Sequence, residues 1–510
     1  MRRLLKLLTS RIWIVSLLVL LQLALLFTWV YQAVIYYSIM PVLNIIAIIL
    51  AVYVINKDED PSYKIGWCVL ILALPVIGGV LFLLCSGRKM PKKLANGTIE
   101  ANAQMKALLS QDIDVLEQLE QTDPEAAQMF ACGRTRSGFP VYHDTAVQYY
   151  GSGEEFFPEF LKVLSEAKQF IFLEMFIIRP GRMWNSVLEI LRKKAAEGVD
   201  VRVIYDDFGC VMSLPRHYIS ELQEYGIRAC RFNRLRPVLL IKMNNRDHRK
   251  ICVIDNQIGF TGGVNLADEY INEEKRFGYW RDSAVILKGD AVRSLTVMFL
   301  GMWTWLSSDD PEDYSRLMIP ASPVKSASQT YYQPFSDTPT DEVDLGLMVH
   351  LNLVSHAREY IYIDTPYLIL NNDMRTALRL AAMNGVKVVI LTPHVPDKKN
   401  VFQITRANYR PLLEAGVRIF EFTPGFNHSK SFVSDDRMCL AGTVNTDYRS
   451  YYLHFENGIL MEDPVTAKKM RESFEQSLRQ SQEITLEDCL RTNPAVRIYR
   501  AILQLIAPLF

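Results

Sequence analysis

The 510-residue chain has eight cysteines, scattered from Cys68 to Cys489 with no CxxC pair among them. That spacing excludes a zinc cluster and a dithiol redox site and leaves reduced, unpaired thiols. A composition that is 49% apolar and 22% charged excludes disorder, collagen-like repeats and a disulfide scaffold. Net charge is also missing, with 56 Lys+Arg against 56 Asp+Glu. The balance hides a partition: the first 93 residues hold 10 basic and 3 acidic side chains, leaving 46 against 53 for the remainder. A +7 head is joined to a −7 body that carries no basic tract, and a nucleic-acid surface would need one.

Charged residues are absent from three apolar stretches in the head, 12–35, 39–55 and 65–84. At 1.5 Å per residue the first and third are long enough to cross a hydrocarbon core of about 30 Å, and the middle one stands at the lower limit. The first is too long for a signal-peptide core and lacks a small-residue cleavage site. Residues 1–93 are therefore expected to anchor the chain through transmembrane helices. Arg2, Arg3, Lys6 and Arg11 precede these stretches, and Arg88, Lys89, Lys92 and Lys93 follow them. The positive-inside rule places both flanks in the cytoplasm, which requires an even number of crossings; the span count is two or three, and three stretches satisfy the rule only if one is re-entrant or two form a hairpin at 36–41.

Residues 94–134 are polar and helix-favouring and predict a connecting helix. Beyond them, short β-branched and aromatic runs alternate with amphipathic stretches, the pattern of an α/β body. A Ser-, Pro-, Asp- and Thr-rich segment, 307–340, divides that body into 135–306 and 341–485, and 486–510 predicts a C-terminal helix. The two halves repeat one another. AKQFIF at 167–172 and AREYIY at 357–362 lie 190 residues apart, as do YGIR at 225–228 and AGVR at 415–418. A period this long indicates a duplicated domain with one site on the seam between copies.

The chemistry sits in a second repeat. His248, Lys250, Asp255, Gly262 and Asn265 recur 180 residues later as His428, Lys430, Asp435, Gly442 and Asn445. His and Lys two apart on extended backbone face the same way, so each copy offers an imidazole and an ammonium to one spot. Gly262-Gly263 and Gly442-Thr443 allow close backbone approach, and each Asn amide adds a donor. Doubled, this makes a cage for a phosphate in which two ammonium groups supply the charge a metal would otherwise bring, so no metal or cofactor is expected. One neutral imidazole can attack phosphorus while the other, protonated, donates to the leaving alkoxide.

HxKxxxxD followed by Gly-x-x-Asn, twice in one chain, resembles the phospholipase D superfamily. NNRDHRK at 244–250, TGGVNLADEY at 261–270, YWRD at 279–282, HSKSF at 428–432 and GTVNTDYRSYYLHFE at 442–456 resemble bacterial cardiolipin synthases over essentially the whole chain. The resemblance implies a duplicated phospholipase D-like α/β pair with mixed sheets behind membrane helices. It also implies conversion of two phosphatidylglycerol molecules to cardiolipin and glycerol through a phosphohistidine, at the cytoplasmic face of a bacterial membrane. Hydrolytic phospholipase D or another phosphatidyltransferase is the alternative, then a nuclease.

By the same resemblance, His248 and His428 are nucleophile and acid/base, Lys250, Lys430, Asn265 and Asn445 hold the phosphate, and Asp255 and Asp435 order the motif. Glu456 is expected to accept from His428 and fix its tautomer, with Asp282 as the nearest counterpart in the first half. The usual Ser after the motif glycine is replaced by Gly263 and Thr443, a tolerated departure. Glu174 and Asp364, at equivalent strand ends, are expected to be structural, and the remaining histidines, His454 included, are expected to have no role.

Overall fold

A computed structural model describes residues 19–29, 40–85, 90, 92–234, 245–307, 313–322, 324, 330–340 and 343–507. Arg2, Arg3, Lys6, Arg11, Arg88 and Lys89, both ends of the 12–35 stretch, Asn244, parts of the 307–340 segment and residues 508–510 lie outside that set.

Among the described residues, no helix is long and apolar enough to cross a membrane. The 39–55 stretch forms Met40–Ile55, and the 65–84 stretch, expected as one span, is split into Pro61–Ala73 and Pro75–Cys85. The split has a local cause. Pro75 has no N–H to continue the ladder and pushes the preceding residue out of the helical region, and Leu74 sits at φ −134°, ψ 73°. At 1.5 Å per residue the two pieces reach only about 20 and 17 Å, short of a hydrocarbon core. The helices pack as a small bundle through Ala47, Val54, Tyr63, Trp67, Ile71 and Phe82 while leaving Ile45, Ile49, Val69 and Leu72 exposed.

The segment expected as one connecting helix is three: Lys92–Lys106, Ile113–Thr122 and Pro124–Ser137. Asp112 and Asp123 interrupt it, since each carboxylate caps the next helix by accepting a backbone N–H, from Asp114 and Ala126 respectively.

The body holds two mixed sheets. The first has seven strands in the spatial order Thr145–Tyr150, Ala284–Gly289, Ile258–Gly262, Ile251–Ile254, Phe170–Met175, Asp200–Asp206 and Arg228–Phe232. The second repeats this order from the opposite edge as Tyr331–Asp337, Glu456–Glu462, Met438–Gly442, Ser431–Ser434, Tyr360–Asp364, Lys387–Pro393 and Arg418–Phe422, and Ser481–Ile484 is added as an eighth strand. In both, the strands flanked by helical crossovers pair in parallel and those joined by short turns pair antiparallel.

Two small pairings stitch the halves together. Tyr279–Arg281 lies parallel to Gly425–Asn427, and Asp247 bridges in parallel to Phe455. Glu174 and Asp364 are buried in ion pairs, with Arg249 at 2.5 Å and with Arg281 at 2.7 Å.

Asp255 and Asp435 both occupy the left-handed region, at φ 54° and 55°. The Asp255 carboxylate accepts from the backbone N–H groups of Lys168, Gln169 and Phe170, and that of Asp435 from Arg358, Glu359 and Tyr360. Each therefore ties a hairpin turn to the start of the neighbouring strand. Asp255→Ala and Asp435→Ala should each lower unfolding stability by about 2 to 3 kcal/mol, because three charge-assisted bonds are lost. Denaturant titration of the variants checks this, and the folded fraction should keep most of its activity.

Candidate active site

The two histidines are delivered by backbone pairing across the seam. The His248 N–H donates to the Phe455 carbonyl at 2.9 Å, and the His428 N–H donates to the Arg281 carbonyl at 2.7 Å. The next residue on each partner strand is the acid. Glu456 accepts from His248 Nδ1 at 2.9 Å, and Asp282 accepts from His428 Nδ1 at 2.6 Å. This corrects the expected pairing of Glu456 with His428: each acid serves the histidine of the other half. With Nδ1 donating to a carboxylate, the lone pair of each neutral imidazole resides on Nε2.

The acids are held differently. Glu456 also accepts from Ser450 Oγ at 2.8 Å and from the Thr443 hydroxyl, which in turn accepts the Asn457 N–H. Thr443 thus supplies Glu456 with a hydroxyl donor. Gly263, its counterpart, has another reason to be there. A Cβ at this position would lie 1.9 Å from Asp282 Oδ1, so the missing side chain is the space the Asp282 carboxylate fills. Burial pushes Asp282 up to about 6.

Both lysines are buried, and each Nζ donates to the carbonyl of its own motif histidine, Lys250 to His248 at 2.6 Å and Lys430 to His428. Burial brings Lys250 down to about 7 and Lys430 down to about 8, against the pull of Glu456 and Asp282. Burial and then the charges of both lysines hold His248 and His428 well below the ordinary imidazole range. Both rings are therefore neutral at rest. The four groups act on each other as one cage, with its positive charge on the lysines.

The asparagines are less alike than their spacing suggests. The Asn265 amide is engaged, with Oδ1 accepting from the Ile177 N–H and Nδ2 donating to Tyr270 Oη at 2.6 Å. Asn445 Oδ1 is buried without a partner among the described residues. Asp255 and Asp435 are not brought to the cage at all, since they sit at the ends of Ile251–Ile254 and Ser431–Ser434 remote from the motif histidines.

Sequence spacing missed His454. Its ring lies 5.7 Å from that of His248, its Nδ1 is 3.5 Å from Glu456 Oε1, and burial takes it down to about 4. Trp280 packs against His428 in the same way, at 5.2 Å. Both residues stand two positions before the seam carboxylate, and aligning the halves on Asp282 and Glu456 instead of on the motif would have paired them. Phe176 beside His248, and Tyr270 and Phe426 beside His428, complete an aromatic wall. His248, His454 and Glu456 are also the one group among the described residues with atoms placed to hold a metal, all within 4.8 Å of one another. The Nδ1 of His248 and the carboxylate are already engaged with each other.

Comparison with known proteins agrees with this geometry. Residues 160–303 and 351–478 match the family described as "Cardiolipin synthase, PLD-like domain", and 42–87 match "Phospholipase_D-nuclease N-terminal". The chain is 31% identical over 475 residues to "Cardiolipin synthase 2" of Bacillus anthracis, covering 91% of this chain and 90% of that protein. The chain belongs to the cardiolipin synthase family of phospholipase D-like proteins. Another relative, an uncharacterized protein of Streptococcus mutans, is 39% identical over 458 residues, 90% of this chain and 98% of its own. The phosphatidylserine synthase of Haemophilus influenzae Rd KW20 shares the fold, with a TM-score of 0.58 at 16% identity over 76% of this chain and 100% of that one.

Within this cardiolipin synthase family member, Gly263→Ala should displace Asp282 and lower turnover about 10²-fold, because His428 loses its tautomer partner. Thr443→Ser keeps the hydroxyl and should stay within a few-fold of the unaltered protein. Steady-state turnover of both variants, with folding verified by circular dichroism, checks the contrast.

Proposed function

We propose that this protein is a phosphatidyltransferase that makes cardiolipin from two molecules of phosphatidylglycerol and releases glycerol. The observation that carries the proposal is the pair of imidazoles, each held by a carboxylate from the other half, beside two buried lysines. Each half contributes one imidazole and one lysine, and the second half includes the strand Tyr331–Asp337 that the sequence assigned to the linker. The setting is the cytoplasmic face of a bacterial membrane, to which the apolar head holds the body.

The phosphodiester of the first lipid enters between Lys250 and Lys430, with the Asn445 amide as a further donor. Nε2 of one histidine attacks phosphorus and the P–O bond to the glycerol headgroup breaks. The other histidine, having taken up a proton, donates it to the departing oxygen. A phosphatidyl-histidine and free glycerol result. The second imidazole, now neutral, then takes the proton of a hydroxyl on the incoming phosphatidylglycerol, whose oxygen attacks phosphorus and displaces the first histidine. Glu456 and Asp282 stabilise each imidazolium as it forms, and the lysines stabilise the added charge on the phosphoryl oxygens. Since the positive charge comes from lysines, no step requires a metal ion.

In liposomes, the purified protein should convert phosphatidylglycerol to cardiolipin with neither nucleotide nor metal added, as read by mass spectrometry. His248→Ala and His428→Ala should each lower turnover by at least about 10⁴-fold. Loss of turnover in EDTA, or phosphatidic acid as the sole product, contradicts the proposal.

The lysines set the pH dependence. As pH rises through about 7 for Lys250 and about 8 for Lys430 the free protein loses ammonium charge, so capture of the anionic lipid weakens. The value of kcat/KM should fall between pH 7 and 9. The value of kcat, which reports lipid-loaded protein whose bound phosphate keeps both lysines charged, should fall only at higher pH. A kcat/KM that stays flat to pH 9 contradicts this assignment.

A further inference from the structure

The C-terminal helix Pro494–Leu505 makes two kinds of contact. One side docks on Lys399–Ala407: Leu503 is buried with Val401, Ile404 and Tyr448, Tyr499 Oη donates to Asn400 Oδ1 at 2.9 Å, and Arg500 Nε donates to Gln403 Oε1 at 2.9 Å. The other side meets Pro61–Ala73. Gly66 lies so close to the C-terminal helix that a Cβ there would stand 2.6 Å from the Leu505 carbonyl oxygen. The two backbones touch at that point, and beside it lies a groove lined by Trp67, Val69, Leu70, Ala73, Ile502 and Leu505.

We infer that this groove holds one acyl chain of an anionic phospholipid substrate. Its walls, which include Ile506, are almost wholly apolar, and Ile65, Leu72 and Ile498 of the same two helices are exposed. The C-terminal helix carries Arg497 and Arg500 and no acidic residue, and Lys64 is the one charged side chain of Pro61–Ala73. An apolar slot beside the exposed Arg497 fits an anionic amphiphile and disfavours a polar peptide, whose backbone groups its walls could not satisfy. The groove is also tied to the reacting half. Tyr448, which packs against Leu503 and donates to Asp60 Oδ1 at 3.4 Å, lies three residues after Asn445. A chain seated in the groove would bias its headgroup toward the second motif, so binding energy remote from the phosphate would serve orientation.

This inference rests on the phosphatidyl-transfer reading, and its test separates the two. Ala73→Trp and Leu505→Trp fill the groove from opposite walls, and Ile49→Trp adds the same bulk on an exposed face of Met40–Ile55. Each protein is assayed with long-chain phosphatidylglycerol in liposomes and with dihexanoyl phosphatidylglycerol in solution. The two filling variants should raise KM for the long-chain lipid about tenfold, the equivalent of roughly two buried methylene groups, and leave the short-chain reaction unchanged. Ile49→Trp should change neither. Equal effects on both lipids, or none on either, overturn the groove.

A second measurement does not depend on turnover: benzophenone-alanine at position 69, irradiated in phosphatidylglycerol liposomes, should yield a phospholipid adduct. An adduct only with residues 12–35 of the same chain, or with a second copy, identifies a different occupant and overturns the inference. Failure of the unaltered protein to make cardiolipin from either lipid would instead overturn the transfer reading, and the adduct would still report on the groove.

Discussion

Everything at this site depends on an exchange of hydrogen bonds across the seam. A strand from each half accepts the backbone N–H of the other half's histidine and then places a carboxylate on that ring's Nδ1. Neither half can build a working imidazole alone. The duplicated fold is thereby locked in one relative placement, since a slip of one residue in either small pairing would turn Glu456 or Asp282 to the opposite face and orphan a buried carboxylate. The cost of burying two acids and two lysines is met by their hydrogen bonds to the two histidines and to neighbouring hydroxyl and backbone groups, a condition on the joined pair and not on either domain.

The exchange also explains how the copies differ. An Asp is one methylene shorter than a Glu, so Asp282 sits close against its own backbone region, where Gly263 leaves room and Ser283 N–H caps it. Glu456 reaches further and is held by hydroxyls from Thr443 and Ser450. Two side-chain pairs, Gly with Asp and Thr with Glu, solve one geometric problem twice. The flanking residues diverge likewise, Trp280 in one half and His454 in the other, so the two imidazoles face different walls.

Much of this was legible in the residues. The 180- and 190-residue offsets expose the duplication, and period-two spacing puts His and Lys on one face of extended backbone. The structural roles of Glu174 and Asp364 follow from their equivalent strand ends. Crossing of the acids was not legible, because spacing along the chain ties Glu456 to His428 and says nothing about which strand meets which across a two-fold seam. His454 escaped for a related reason: its mate is a tryptophan, and no residue-identity match pairs them. The division of the 65–84 stretch was written in Leu74-Pro75, where local backbone restriction outweighs an uninterrupted apolar run. The partition of charge was informative in a narrower way. With a −7 body, the anionic lipid of the proposed function has to be met locally, at the buried Lys250 and Lys430.

The crossed pairing is tested most directly by nitrogen NMR of the protein labelled at histidine Nδ1 and Nε2, with the motif signals assigned from the His→Ala variants. Glu456→Gln should shift the Nδ1 resonance of His248 and leave that of His428 in place, and Asp282→Asn should do the reverse. A shift of His428 on Glu456→Gln, with His248 unmoved, would contradict the account.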